Sequence, residues 1–457
     1  MAYENQKVMI VGLGREGIAL AKFLAGQGAN VTITDMKSEE ALRDKTDQLA
    51  GLPIHYLLGG HPEESLDADV IFVSPGVPRE IPILVEAQQR GVALSSETKL
   101  FFSLCRAPII GITGSSGKTT TTSLVGDIMR AGGYRTFVGG NIGSPLISVV
   151  DEIEPQDKVV MELSSFQLEA LDQSPHIAAI LNLSPNHLDR HQSIDDYVSA
   201  KVNIIRFQKE DDYAILNADD PLAQQIAKHC RGRTLLFSPQ QEVETGAFLD
   251  QGQVTVRWED EEWKVCHVSE VQLLGSHNLE NVLAACAIAV PAGAQSEAMR
   301  TAVTSFSGVE HRLELVAEIE GVRYYDDSIA TSPQRAMAAL NSFSEPIVLL
   351  AGGRGKHLPL EGLAQLIVKK VKALILFGEA ASLLEQAVME IQGDRRELPI
   401  YRSADLSEAV RTAGQIVRAG DVVLLAPACT SFDMYRDFAE RGEHFKSLVR
   451  DLKKSQQ

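Results

Sequence analysis

The chain is expected to be an α/β protein of three domains. These are a Rossmann-like N-terminal domain, a central P-loop ATPase-like domain with a parallel sheet plus a small antiparallel sheet, and a C-terminal Rossmann-like domain. Three observations predict this. A length of 457 residues exceeds one ordinary core and suggests roughly three. Apolar runs of strand length alternate with helical periodicity along most of the chain, the pattern of parallel sheets. Two glycine-rich turns, "GLGREG" (12–17) and "GITGSSGKTT" (111–120), each follow an apolar run and open a helical one.

In residues 1–104, "KVMIVGLG" reads as a buried strand, "GIALAKFLAGQG" as a helix closing at a glycine, and "NVTITD" as a strand ending in Asp35. "DVIFVSPGVP" and "VALSSETKL" complete a small doubly wound domain. Residues 105–308 restart the pattern with "APIIGITGSSGKTTTTSLVGDIMRAGG" and continue with strands at "KVVMELSS", "IAAILNLS" and "YAILNADD". From 241 to 273, "AFLDQGQVTVRWEDEEWKVCHVSEVQL" alternates apolar and polar residues around turns at "DQGQ" and "EDEE", which predicts an antiparallel excursion. "GSHNLENVLAACAIAV" returns to helix. Residues 309–457 carry a third alternation: "GVRYYDDS", "PIVLLAGG", "ALILFGE" and "DVVLLAPACTS".

A net charge of −18 argues against a nucleic-acid surface but leaves room for small anions held by local cations. The five cysteines are odd in number and never spaced as CxxC, so reduced thiols are expected. No run reaches the roughly 20 apolar residues of a membrane span, and "MAYENQK" has no apolar stretch of signal-peptide length. A soluble, cytoplasmic protein is expected.

The motifs narrow the chemistry. Gly12, Gly14 and Gly17 satisfy GxGxxG between a strand and a helix, and Asp35 stands eighteen residues beyond Gly17. Such glycines admit a diphosphate to the backbone, the helix N-terminus supplies N–H groups, and the acid accepts from a ribose hydroxyl. NAD and a UDP group share that outline. In the second turn the usable glycines are 111, 114 and 117; strict GxxxxGK[ST] spacing fails because position 112 is isoleucine. Lys118 would neutralise nucleotide phosphates, Thr119 would offer its hydroxyl to Mg²⁺, and the loop amides would wrap the phosphates. Glu162 ends an apolar strand where a carboxylate packs poorly but can hold Mg²⁺. "LNLSPNHLDRH" delivers His187, Asp189, Arg190 and His191 into one loop. Lys201, on an amphipathic helix, reads by itself as a surface residue.

Taken together, "GITGSSGKTT", "MELSSFQLE", "NLSPNHLDRH", "YVSAK", "NADDP", "GSHNLENVLAA", "EHRLE", "DDSIATSP", "AGGRGK" and "APACTSFDMYRDFAERGEHF" occur in order over nearly the whole chain. This series resembles the Mur ligases of peptidoglycan synthesis. The resemblance implies that the carboxylate of UDP-N-acetylmuramoyl-L-alanine attacks the γ-phosphate of ATP, and that D-glutamate then displaces phosphate from the acyl phosphate. It implies Lys118, Glu162, His187 and Lys201 as catalytic groups. Two Mg²⁺ ions would be held by Thr119, Glu162, His187 and Lys201, the last as a carbamate. ATP would meet Gly114, Ser115, Ser116, Gly117, Lys118, Thr119, Thr120, Asn278, Asn281, Arg312 and Asp327. The UDP-sugar would meet Gly14, Arg15, Asp35, Gly76, Asn141, Ser164, Gln167 and His187. D-Glutamate would meet Thr331, Lys356, Ser431, Phe432 and Phe438. Closure of the third domain on the second is expected to assemble the site, in a monomer that binds no nucleic acid and spans no membrane.

Three departures from the family pattern stand out. Ile329 replaces the lysine of "DSKAT", so any phosphate interaction of that lysine must come from elsewhere, with Arg354 as the candidate. Met36 and Lys37 follow Asp35 where a Thr-Arg pair is common. Asn186 precedes His187 where aspartate often sits. The alternatives are a ligase of the same type with another amino-acid specificity, a P-loop regulator that ligates nothing, and an NAD-dependent oxidoreductase using the first turn. The "DNPR" motif of the diamino-acid ligases is absent. An oxidoreductase would leave "GSSGKTT", Glu162 and Lys201 unexplained.

Overall fold

Strand Ile109–Thr113 is buried at every residue, with neighbours on both sides. The sequence IIGIT has no polar alternation because a central parallel strand has no solvent face. In the computed structural model, residues 3–183, 194–228, 230–273, 275–356, 358–393 and 397–455 are described. They form two units, 1–306 and 307–457.

The first unit holds two sheets. The N-terminal one is all parallel, in the spatial order Ile54–Leu58, Asn30–Asp35, Lys7–Val11, Val70–Val73, Ala93–Ser95. Chain order reverses at Lys7–Val11, so the turns after that strand and after Val70–Val73 flank the point where α/β sheets take ligands. They are "GLGREG" and "SPGVP".

The second sheet runs Glu261–His267, Gln253–Trp258, Gly246–Asp250, Arg233–Ser238, Tyr213–Asn217, Ile177–Ile180, Ile109–Thr113, Lys158–Glu162, Thr136–Gly140. Its first three strands are the antiparallel excursion expected from the alternation near 241–273. Helix Lys118–Ala131 buries Leu124, Val125, Ile128 and Met129, each worth about 1.5–3 kcal/mol relative to exposure. It packs against helix Ser276–Ala289, whose run from Val282 to Ala289 is fully buried. That explains the missing polar face in "VLAACAIA".

The second unit carries one sheet, in the order Glu314–Ile319, Val322–Asp326, Val422–Ala428, Ile347–Gly352, Val371–Phe377, Ile400–Arg402. All pairs are parallel except the first, an antiparallel hairpin through Glu320 and Gly321. The parallel strands end together, bringing Asp326, Gly352 and Ala428 to one edge. On the strength of three sheets we propose the domain division 1–104, 105–308 and 309–457. None of the helices searched is long and apolar enough to cross a membrane.

Candidate functional site

The phosphate-type turn leaves strand Ile109–Thr113 and enters helix Lys118–Ala131 through Gly117, at φ 79° and ψ −16°. A side chain there would be strained, and its Cβ would lie 2.2 Å from Asn281 Oδ1. Gly117 as N-cap brings no side chain to the helix's first N–H groups, which therefore suit an anion. Asn182, at the end of the neighbouring strand, braces the loop. Its carbonyl accepts from the Ser115 N–H at 3.0 Å and its Oδ1 from the Ser116 N–H at 2.9 Å. Asn281 supports the helix start from below, accepting from Thr121 Oγ1 at 3.4 Å and donating to Asn278 Oδ1 at 3.0 Å.

Glu162, at the carboxyl end of the strand on the other side, is buried. Thr119 Oγ1 donates to its Oε2 at 2.8 Å, and Asn141 Nδ2 donates to its Oε1 at 2.8 Å. Lys118 Nζ donates to the Gly114 carbonyl at 2.9 Å. Lys201 corrects the surface reading of its helix: it is 2% exposed, and its Nζ donates to the Gly114 carbonyl at 2.9 Å and to Thr113 Oγ1 at 3.3 Å. Burial foremost, then the charge of Lys118, lowers its ammonium to about 7, with Glu162 opposing. Tyr197, which carried no signal in the sequence, covers it. Its ring centroid lies 4.8 Å from Lys201 Nζ and its hydroxyl 3.0 Å from Ser115 Oγ. His187, Asp189, Arg190 and His191 lie outside the described residues.

The N-terminal turn is arranged for close approach. Gly14 faces open space, whereas a Cβ on Gly17 would lie 2.4 Å from the Gly12 carbonyl. Asp35 is committed to the turn itself, accepting from Leu13 N–H at 2.8 Å and Lys37 N–H at 2.9 Å. Arg15 reaches across to the Gly143 and Asn141 carbonyls at 2.6 and 3.2 Å. Gly76 and Gln167 line one cavity of about 550 Å³, with Ser74, Val77, Phe166 and Asn203 among its other walls. That is within the usual range for a small-molecule site. Arg15, Asp35, Asn141 and Ser164 are not among its lining. Ser164 caps the short helix Ser165–Glu169 in a capping box with Gln167, whose Nε2 donates to Glu16 Oε1 at 3.0 Å.

Glu16 is partly buried and Glu97 almost fully so. Burial is the main cause of a raised pKa in both, pushing Glu16 to about 7 and Glu97 to about 8, and the charge of Glu16 adds to the second. The fold therefore holds these protons more tightly than the unfolded chain does. Their contribution to stability is complete below the ordinary glutamate value of 4.5 and is lost as pH rises through about 7 and about 8. The expected result is an unfolding temperature that falls between pH 5 and pH 9, and falls less in Glu97→Gln. The effect is at most about 1.4 kcal/mol per pH unit for each group. Parallel pH profiles for the two proteins would contradict it.

In the second unit, Asp327 is buried, accepts from Leu313 N–H at 3.2 Å, and is pushed up to about 8, mainly by burial. Its neighbour Arg312 lies in the turn held by His311, whose Nδ1 pairs with Asp326 Oδ2 at 2.7 Å. Lys356 Nζ donates to Thr331 Oγ1 at 3.3 Å, so these two expected residues do meet. Ser431 is buried and Phe432 is 61% exposed. The Phe438 ring sits edge-on to His311, and the Phe438 carbonyl accepts from Ser328 Oγ at 2.7 Å. Arg354, the candidate to replace the lysine missing at Ile329, is paired here with a carboxylate. It forms a two-bond fork with Glu379, both bonds at 2.9 Å. Arg441, in the strongly charged helix Phe438–Ser455, is fully buried and ties the Ser328 and Cys429 carbonyls together.

A strand, a glycine-rich turn with Lys and Thr, and a carboxylate on the next strand are the parts expected of a nucleotide-phosphate site. In comparison with known proteins, the Mur ligase MurD-like N-terminal domain matches residues 6–96, the Mur ligase middle domain 112–289, and the Mur ligase glutamate ligase domain 311–429. The chain belongs to the Mur ligase family. Among its relatives is the UDP-N-acetylmuramoylalanine–D-glutamate ligase of Symbiobacterium thermophilum, 47% identical over 98% of both chains. The enzyme of that name from Acetivibrio thermocellus is 41% identical over 98% of this chain and 97% of its own. Among solved structures, the UDP-N-acetylmuramate–alanine ligase of Thermotoga maritima aligns over 98% of this chain and 100% of its own. Its TM-score is 0.57 at 19% identity, a likeness of fold.

Proposed function

We propose that this protein joins D-glutamate to UDP-N-acetylmuramoyl-L-alanine, with cleavage of ATP to ADP and phosphate, in peptidoglycan precursor synthesis. The observation that carries the reading is the cluster in which Lys118 and Thr119 at a helix start, and Lys201 from a second helix, meet Glu162 and Asn141 at the ends of adjacent strands. Relatives named for this reaction match almost the whole chain.

The first step brings a carboxylate to a phosphate. A carboxylate oxygen bonds to the γ-phosphorus, the bond from that phosphorus to the β–γ bridging oxygen breaks, and ADP leaves. Lys118 and the N–H groups of the turn lower the repulsion between the two anions. The D-glutamate nitrogen then bonds to the acyl carbon, the acyl–phosphate bond breaks, and the amine gives up a proton as the amide forms. Gly76 and Gln167, lining the 550 Å³ cavity, are assigned to the UDP-sugar with Gly14, Arg15, Asp35, Asn141 and Ser164. Thr331, Lys356, Ser431, Phe432 and Phe438 are assigned to D-glutamate.

The oxygens of Thr119 and Glu162 suit Mg²⁺, a hard cation. When bound it supplies charge neutralisation at the phosphates. Lys201 offers nitrogen, a poor ligand for it, but its buried amine would become an oxygen donor on reaction with CO₂. We assign it as a carbamate, with His187 toward a second ion. Five free thiols suit a reducing cytoplasm, and we take the protein as a monomer.

The test is a panel of amino acids with UDP-N-acetylmuramoyl-L-alanine and ATP, scoring ADP and product mass. ADP formation that requires both partners and prefers D-glutamate is expected. Preference for another amino acid would overturn the specificity, and ADP formation without either partner would overturn ligation.

A further inference from the structure

In the second unit, the chain leaves strand Val322–Asp326 and passes through Asp327–Ser332 into helix Pro333–Asn341. Two cations converge on this loop. Lys356 Nζ donates to Thr331 Oγ1 at 3.3 Å, and Arg335, in the helix's first turn, donates from Nη1 to the Ile329 carbonyl at 3.1 Å. They are close enough to repel: Lys356 lies below the ordinary lysine value, through burial first and the charge of Arg335 second. Among the described residues neither has a carboxylate within 4.0 Å. Asp327 also feels Arg335, but burial, the larger influence, pushes its carboxyl up toward the neutral form. Nearby Arg354 is neutralised by Glu379. The N-cap Ser332 makes no side-chain bond to the helix, so the positive end of its dipole faces the same loop. Ile329 contributes only its carbonyl to hold the guanidinium.

Two like charges held near one another, with donors to spare, suit a ligand that carries two negative groups. Arg335 has further N–H donors beyond the one given to Ile329, in the planar fork that matches a carboxylate. Resting on the reaction proposed above, we propose that Arg335 joins Lys356 and Thr331 as a substrate-binding residue for the dicarboxylic amino acid. It takes one carboxylate while Lys356 takes the other.

The experiment compares the parent enzyme with Arg335→Ala and Arg335→Lys, varying D-glutamate, ATP and UDP-N-acetylmuramoyl-L-alanine in turn. Arg335→Ala is expected to raise the KM for D-glutamate by about 10-fold or more, the scale of a lost charge-assisted bond. Arg335→Lys should recover part of this. The other two KM values, kcat and the unfolding temperature should stay within twofold or one degree or so of the parent. An unchanged KM for D-glutamate, or all three KM values rising together, would overturn the assignment of Arg335 alone. A parent enzyme inert toward D-glutamate would overturn it together with the functional reading.

Discussion

Lys118→Ala is expected to lower kcat for ADP formation by about 10³-fold or more while leaving the unfolding temperature near that of the parent. The physical reason is charge. Two unit charges 4 Å apart at the effective permittivity of a protein surface interact by about 4 kcal/mol, close to three decades in rate. In the first step a carboxylate must approach a polyphosphate, so repulsion of this order must be cancelled at the transition state. Lys118 sits at the first residue of the helix behind the turn, with its ammonium over the Gly114 carbonyl. Its alanine variant loses the charge without disturbing Gly117 or the Asn182 brace. Single-turnover ADP formation measures the effect. A rate within tenfold of the parent would show that the repulsion is cancelled elsewhere.

Lys201→Ala is expected to cost about 10²-fold or more in kcat, and Lys201→Arg should not restore it. A buried ammonium with only two hydrogen-bond acceptors among the described residues is an expensive way to support a loop. It makes sense if the amine is a precursor to a carbamate whose oxygens serve a hard cation. Arginine keeps the charge and much of the length but cannot take up CO₂ in that way. Carbon NMR in buffer enriched with labelled bicarbonate should show a carbamate signal in the parent and none in Lys201→Ala. An active Lys201→Arg enzyme, or a parent without the signal, would contradict the assignment.

Much of this site was legible because its pieces are local. "GITGSSGKTT" announces itself by three glycines and a Lys-Thr pair, even with the first glycine one place from the strict spacing. Glu162 is legible as a charge ending an apolar run. Lys201 is the opposite case. Its helix has a polar face, and nothing in "YVSAKVNIIRF" says that Tyr197 and the strand-end loop cover that lysine. The same holds for Glu97, in a segment that resembles an exposed helix start, and for Arg441, in "AERGEHF"; each is buried by distant parts of the fold. Asp35 was legible as an acid at a strand end, but its two backbone partners depend on the turn's closed shape. Arg335 gave no signal in "SPQRAM". It matters because helix Pro333–Asn341 begins where Lys356 also arrives. Edge strand Glu314–Ile319 was missed because hairpin pairing, not a buried apolar run, makes it a strand.

The most direct measurement follows oxygen atoms. With ¹⁸O in the alanyl carboxylate of UDP-N-acetylmuramoyl-L-alanine, unlabelled ATP and D-glutamate, one labelled oxygen should appear in each inorganic phosphate released. Phosphate that carries no label would mean that the carboxylate never bonds to phosphorus.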